Sequence, residues 1–235
     1  MSTLAEQVVE QLKTDMDNVY DAGYQKGLKE IGVNDGIEKY ARQLQLTSLN
    51  IFGKREKVLY LDSATNLSGM CTVQGQNNPN INTTLEHLTI NCPNLVTTMT
   101  NMLHCDNFCV DHTLKRVTLN VDTQKVTSFG NAFNNLQALE VIDGYPLDLR
   151  SSTNNGMFIG CISLIDVRFV PNTIPKTISF SKSGKLSDES IQSIIGGLAD
   201  LTGQTSQTLT FHADVKAKLT EEQIATITSK NWTLA

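Results

Sequence analysis

Between residues 129 and 169 the chain carries one pattern of apolar and polar positions twice. Phe133, Leu136, Leu139 and Ile142 return as Phe158, Cys161, Leu164 and Val167, each pair 25 residues apart. Self-similarity at a fixed period of about 20–50 residues marks a repeat architecture. One unit cannot bury its apolar side alone, and stacked neighbours bury it together. The frame continues toward the N-terminus. Leu114, Val117 and Leu119 form an L-x-x-V-x-L run that begins 25 residues before Leu139, and Leu85, Leu88 and Ile90 form another 29 residues earlier still. Each run alternates as a half-buried strand does and is bounded by Asn, Asp and Gly. The expected fold is an α/β repeat, a solenoid whose strands align in a parallel ladder. The Phe and the Cys or Leu ahead of each strand pack inside it.

The flanks add three further expectations. Residues 57–62 read as a first strand. Residues 2–31 read as a helix with a capping-box pattern at Thr3 and Glu6. Its uneven stripe of Leu4, Val8, Leu12, Met16, Val19 and Tyr20 suits either a lid on the first coil or a short self-association helix. The C-terminal part holds a second repeat. Ile178-Ser179-Phe180 followed by a run from Lys185 to Ile191 matches Leu209-Thr210-Phe211 followed by Lys218 to Ile224. Each is a strand and then a helix, with Ser187 and Thr220 as N-caps and Asp188/Glu189 and Glu221/Glu222 in the first turns. Thr220 with Gln223 makes a capping box, and Trp232-Thr233-Leu234 supplies a last strand. The resulting division is an N-terminal helix (1–35), a connector (36–56), and a solenoid (57–235) with its strand–helix cap beginning near residue 178.

The frame of an aromatic, then Cys or Leu, then Leu-x-x-Val/Ile resembles the BspA-type leucine-rich repeat over roughly residues 80–180. That resemblance implies a binding surface and no catalytic residues. Two further stretches, Asp17-Asn18-Val19-Tyr20-Asp21-Ala22-Gly23 and the segment 185–235, resemble repeat proteins encoded in phages and prophages of gut Gram-positive bacteria. The implied setting is a virion, as a tail fibre, baseplate or receptor-binding protein.

Composition narrows the function. Charged residues make up 18% of the chain and the net charge is −5, so there is no basic stripe to attract nucleic acid. No apolar run reaches the ~18–20 residues that span a bilayer. The first 18 residues lack the basic start and apolar core of a signal peptide. Five cysteines, an odd number, suit a reducing compartment better than a disulfide framework. His104, Cys105, Cys109 and His112 offer four zinc-type ligands in a short span. Their order is not that of a standard finger, and Cys105 falls where a repeat cysteine belongs in the core. Buried thiols are the expectation there and a zinc site is the alternative. Cys92 and Cys161 read as core positions, and no cofactor is expected. A glycosidase needs two carboxylates facing across a cleft, and no spacing here places a pair so. His87 and His212 fall on strand faces.

Function is therefore expected to rest on surface. The residues that project between buried Leu and Val positions are Glu86, His87 and Thr89, then Lys115, Arg116 and Thr118, then Ile165, Asp166 and Arg168. The loop 151–156 and the stretch 63–82 are further contact candidates. The resemblance implies a non-enzymatic protein that meets a host-surface protein or glycan through this strip. It joins other virion proteins through the N-terminal helix, as a homotrimer if that helix assembles. A bacterial adhesin with these repeats and a cytoplasmic interaction scaffold stay open as alternatives.

Overall fold

A computed structural model describes residues 56–60, 66–68, 86–92, 96–104 and 113–235. The predicted N-terminal helix, the connector, and most of the stretch 63–82 lie outside the described residues. The chain is an α/β protein, and its described strands form two open parallel sheets. Strands β1 (Glu56–Tyr60), β2 (His87–Cys92), β3 (Arg116–Val121), β4 (Val141–Leu147) and β5 (Asp166–Phe169) lie side by side in chain order. Strands β6 (Ile178–Phe180), β7 (Gln207–Phe211) and β8 (Trp232–Leu234) form a second sheet, also in chain order.

The register is the one the sequence spacing implies. Leu88 pairs with Val117, Val117 with Ile142, and Ile142 with Val167, all parallel. Ile178 pairs with Leu209 and Phe180 with Phe211, while Leu209 meets Leu234 on β8. Strand side chains alternate between faces with period two, so the inward columns are apolar and the outward columns mostly polar. In β2 and β3 the alternation is complete: Leu88, Ile90, Val117 and Leu119 are fully buried.

The connections between the first five strands also bond to one another, rung to rung. Leu67 donates to Thr98 O at 2.9 Å, Met99 to Ser128 O at 2.9 Å, and Phe129 to Thr153 O at 2.7 Å. Further along the same connections, Phe133 donates to Met157 O at 3.1 Å and Asn135 to Ile159 O at 2.7 Å. Residues 151–156 take part in this second ladder: Thr153 bridges Ser128, Ser152 and Asn154 are buried, and Ser151, Thr153 and Asn155 remain exposed. Ser152 tolerates the interior because its hydroxyl donates to Leu149 O at 3.0 Å. Tight stacking restricts the corners as well. Asn135 and Gly160, 25 residues apart, both adopt left-handed backbone (φ 61° and 78°). A side chain at Gly160 would place its Cβ 2.4 Å from Asn135 Oδ1.

Helix α1 (Asp188–Gly197) links β6 to β7 and covers the far edge of the first sheet. Ser190 Oγ accepts from Val167 N and donates to Val167 O, each at 3.2 Å, and Ser193 Oγ accepts from Phe169 N at 2.9 Å. Two serines thus satisfy the backbone of β5 where a further strand would otherwise pair, which removes an exposed sheet edge. The predicted cap at Ser187 is present, its hydroxyl accepting from Ser190 N. At the other end of α1, Lys230 Nζ donates to Leu198 O at 2.7 Å and to Asn172 Oδ1 at 3.1 Å. A cation beside the terminal carbonyls suits the negative end of the helix.

Helix α2 (Ala213–Lys216) is a single turn with no counterpart in the sequence expectation. His212 is its N-cap, the imidazole accepting from Asp214 N, and so is not a strand-face residue. Helix α3 (Glu221–Ser229) carries the expected capping box between Thr220 and Gln223. Thr220→Ala is expected to lower stability by about 1 kcal/mol, read as a fall in melting temperature of roughly 2–4 °C in differential scanning calorimetry.

Among the described residues, the buried apolar side chains from Leu67 to Trp232 form one core cluster. Its spine is aromatic. Phe133 stacks on Phe158 at 5.8 Å, Phe158 on Phe180 at 4.8 Å, and Phe180 meets Phe211 at 6.1 Å. Phe169 sits edge-on to both Phe158 and Phe180 at 6.3 Å. The spine passes from the connections of the first sheet into the strands of the second, so the two sheets share one interior.

Candidate ligand-binding face

The outward positions of β2 to β5 form a grid. Ahead of the strands lie Glu86, Lys115, Glu140 and Ile165, joined by Lys115 N to Glu86 O at 2.7 Å, Glu140 N to Lys115 O at 2.8 Å and Ile165 N to Glu140 O at 2.8 Å. The next row is His87, Arg116, Val141 and Asp166, in register across four strands. Then come Thr89, Thr118 and Asp143, with Arg168 beyond Asp166 on β5. A last row holds Asn91 and Asn120. Parallel pairing at ~4.8 Å per strand holds these columns at fixed spacing. All nine residues singled out from the sequence lie within this array, and the structure brings them onto one face.

Charge on the face is internally matched. Arg116 Nη1 donates to Asp143 Oδ2, and Thr118 Oγ1 donates to Asp143 Oδ1 at 2.6 Å. Lys115 Nζ meets Glu86 at 3.0 Å. Arg168 Nε lies 3.0 Å from Asp166 Oδ1. Ion pairs this exposed contribute about 0–1 kcal/mol, so their effect is to hold side chains in place rather than to hold the fold. Asn120 Nδ2 donates to Asn91 Oδ1 at 2.8 Å, continuing the pairing into the neutral row.

Six positions on the face were not singled out from the sequence: Glu140, Val141, Asp143, Asn91, Asn120 and Tyr145. Asp143 stands 25 residues after Thr118, and Asn120 stands 29 after Asn91, so the repeat spacing itself carried that signal. Tyr145 keeps the 25-residue offset from Asn120. It falls where the register between β4 and β5 shifts, between Ile142 and Leu147, and Gly144 beside it takes φ 91°. Tyr145 emerges from this irregularity 57% exposed, more than any other large apolar residue among the described residues. Exposed Ile165 stands at the opposite corner of the array, between Glu140 and Ser187, whose N–H donates to Ile165 O. Beside that corner a shallow groove of about 610 Å³ runs between β5 and α1, lined by Arg168, Phe169, Asp188, Glu189, Gln192 and Ser193.

The cysteines divide. Cys92 and Cys161 are buried thiols, as their repeat positions imply. The Cys161 thiol donates to Phe133 O at 3.1 Å, and burial pushes its pKa up to about 12. An unfolded thiol titrates near about 8.5. The fold therefore favours the protonated form: this contribution to stability is fully present below about pH 8.5 and is lost as the pH rises toward 12. Iodoacetamide labelling with peptide mapping at neutral pH should leave Cys161 unmodified until the chain is denatured. Of the four zinc-type residues only His104 is described, while Cys105, Cys109 and His112 lie outside the described residues. Among the described residues, no group of three His, Cys, Asp or Glu is placed to hold a metal ion, and no helix is long and apolar enough to cross a membrane. No family model, curated protein or solved structure matches the chain.

Proposed function

We propose that this chain is a non-enzymatic binding protein, built as a leucine-rich-repeat solenoid of the BspA type, whose strand grid recognises a ligand on a bacterial surface. The observation that carries the reading is the register-locked array from Glu86 to Arg168, with polar side chains fixed at strand spacing and their charges paired among themselves. Such a surface is preorganised, so little side-chain entropy is lost when a partner docks. The C-terminal strand–helix segment, together with the Asp17–Gly23 stretch, supports a phage virion component: a tail fibre, baseplate or receptor-binding protein. In this reading the N-terminal segment joins the chain to other virion proteins or to two further copies of itself.

Fluorescently labelled full-length protein should bind Gram-positive gut bacteria saturably. A Thr89→Arg/Thr118→Arg variant, which loads two bulky cations onto the centre of the face, should lose most of that binding at unchanged melting temperature. Binding indifferent to the double variant would remove the face from the reading. Light scattering of the full chain tests the assembly role separately, with a mass three times that of one chain expected.

A further inference from the structure

We infer that the ligand of this face is a neutral glycan, seated along the row of Asn91, Asn120 and Tyr145. The inference rests on the binding reading above and names the chemistry of its ligand. Three observations converge on it.

The first is how Tyr145 is presented. Strand β4 keeps its register with β3 through Gly144, which lies against the Leu119 backbone, but its register with β5 shifts between Ile142 and Leu147. Bulges of this kind re-aim a side chain. The result is a phenol ring 57% exposed, followed by exposed Pro146. An exposed tyrosine offers a flat apolar face with a polar tip, which suits the apolar face of a pyranose ring.

The second is the neighbourhood of the ring. Leu119 and Gly144 are the last register pair of β3 and β4, so Tyr145 and Asn120 are the next residues of their strands, and Asn120 is bonded to Asn91. Amides both donate and accept, as sugar hydroxyls do. On the adjoining row, Asp143 is oriented by Thr118 and Arg116 and can accept from further hydroxyls. At ~4.8 Å per strand, the span from β1 to β4 is about 14 Å, room for a short oligosaccharide laid across the strands.

The third observation selects neutral over charged sugars. Lys115, Arg116 and Arg168 are each engaged by a carboxylate of the same face. A sulfated, phosphorylated or sialylated ligand would have to displace those carboxylates, whereas hydroxyls can add to the existing network.

The test applies full-length protein to an array of neutral, sialylated and sulfated oligosaccharides, with melting temperature confirming that each variant is folded. Capture of neutral oligosaccharides is expected. Tyr145→Ala and Asn120→Ala should each weaken it roughly tenfold, Tyr145→Phe should retain it, and a tenfold change in salt should leave it unmoved. Capture confined to sialylated or sulfated sugars, capture of neutral sugars that survives Tyr145→Ala, or no capture at all would overturn the inference. Bacterial cells treated with periodate or with protease separate the two levels of the argument. Binding lost to protease but not to periodate would make the partner a protein, ending the glycan inference while the binding reading stands. No binding to untreated cells would overturn both.

Discussion

Gly144→Ala is expected to cost the fold about 4 kcal/mol, although it adds a single methyl group. The left-handed backbone at φ 91° strains any residue with a Cβ, by about 1–3 kcal/mol. The second term is steric. The new Cβ would stand 2.4 Å from Leu119 O, 2.7 Å from Leu119 C and 2.8 Å from Leu119 N. These are backbone atoms of the neighbouring strand and cannot rotate away, so β3 and β4 must separate, with an overpacking cost of about 1–3 kcal/mol. Urea unfolding of the variant against the parent gives the number. A loss under about 1 kcal/mol would show that β4 relaxes freely and that the bulge is not a tightly specified feature. Gly196→Ala is the natural control. Gly196 lies in α1 with open space where its Cβ would go, and the change should raise stability by about 0.5–1 kcal/mol through helix propensity alone. The same glycine governs the proposed ligand site, so Gly144→Ala should also weaken any ligand that reads Tyr145.

Phe158→Ala should be comparably severe for a different reason. Phe158 is almost fully buried and stacks between Phe133 and Phe180 while meeting the edge of Phe169. Truncating a buried phenylalanine costs about 3–5 kcal/mol, and aromatic pairs of this geometry add about 0.5–1.5 kcal/mol each beyond area burial. The position also couples the two sheets. Phe133 belongs to a connection of the first sheet and Phe180 to β6 of the second. Emptying the place between them should therefore lower the melting temperature by roughly 10 °C or more and split one calorimetric transition into two. Phe158→Leu, which keeps most of the volume, should retain a single transition. A single sharp transition in Phe158→Ala would show that the sheets are coupled elsewhere.

The strand register was legible because two periodicities reinforce each other. An offset of 25 or 29 residues carries Leu88 to Val117, Ile142 and Val167, and the two-residue alternation of a strand then assigns every neighbour to a face. The helix caps at Ser187 and Thr220 were legible because capping is local and needs only the right side chain a few residues from its partner. Other features depend on tertiary placement. Ser190 and Ser193 look like ordinary polar helix positions, and nothing near them in the chain indicates that they bond β5. Residues 151–156 have the composition of a loop, yet Ser152 sits inside because a carbonyl is within reach of its hydroxyl. His212 resembles a strand residue because the helix it caps is a single turn, too short for a hydrophobic period to register. The face itself was half legible. Repeat spacing located its columns, but Tyr145 escaped notice because the register shift between β4 and β5 beside it is a tertiary feature with no local mark in the sequence.

The seal that Ser190 and Ser193 place on β5 also determines where the molecule can grow. A tandem duplication of one 25-residue unit upstream of β5 would add a column to the grid without touching that seal, since the new strand would bond only to its neighbours. A duplication placed after β5 would have to break the serine contacts first. Length variants of this chain should therefore differ in whole units on the N-terminal side of β5, with an unchanged end piece. Each gain would widen the polar grid by one strand, so the proposed binding surface can lengthen through copy number while the segment that seals β5 stays constant.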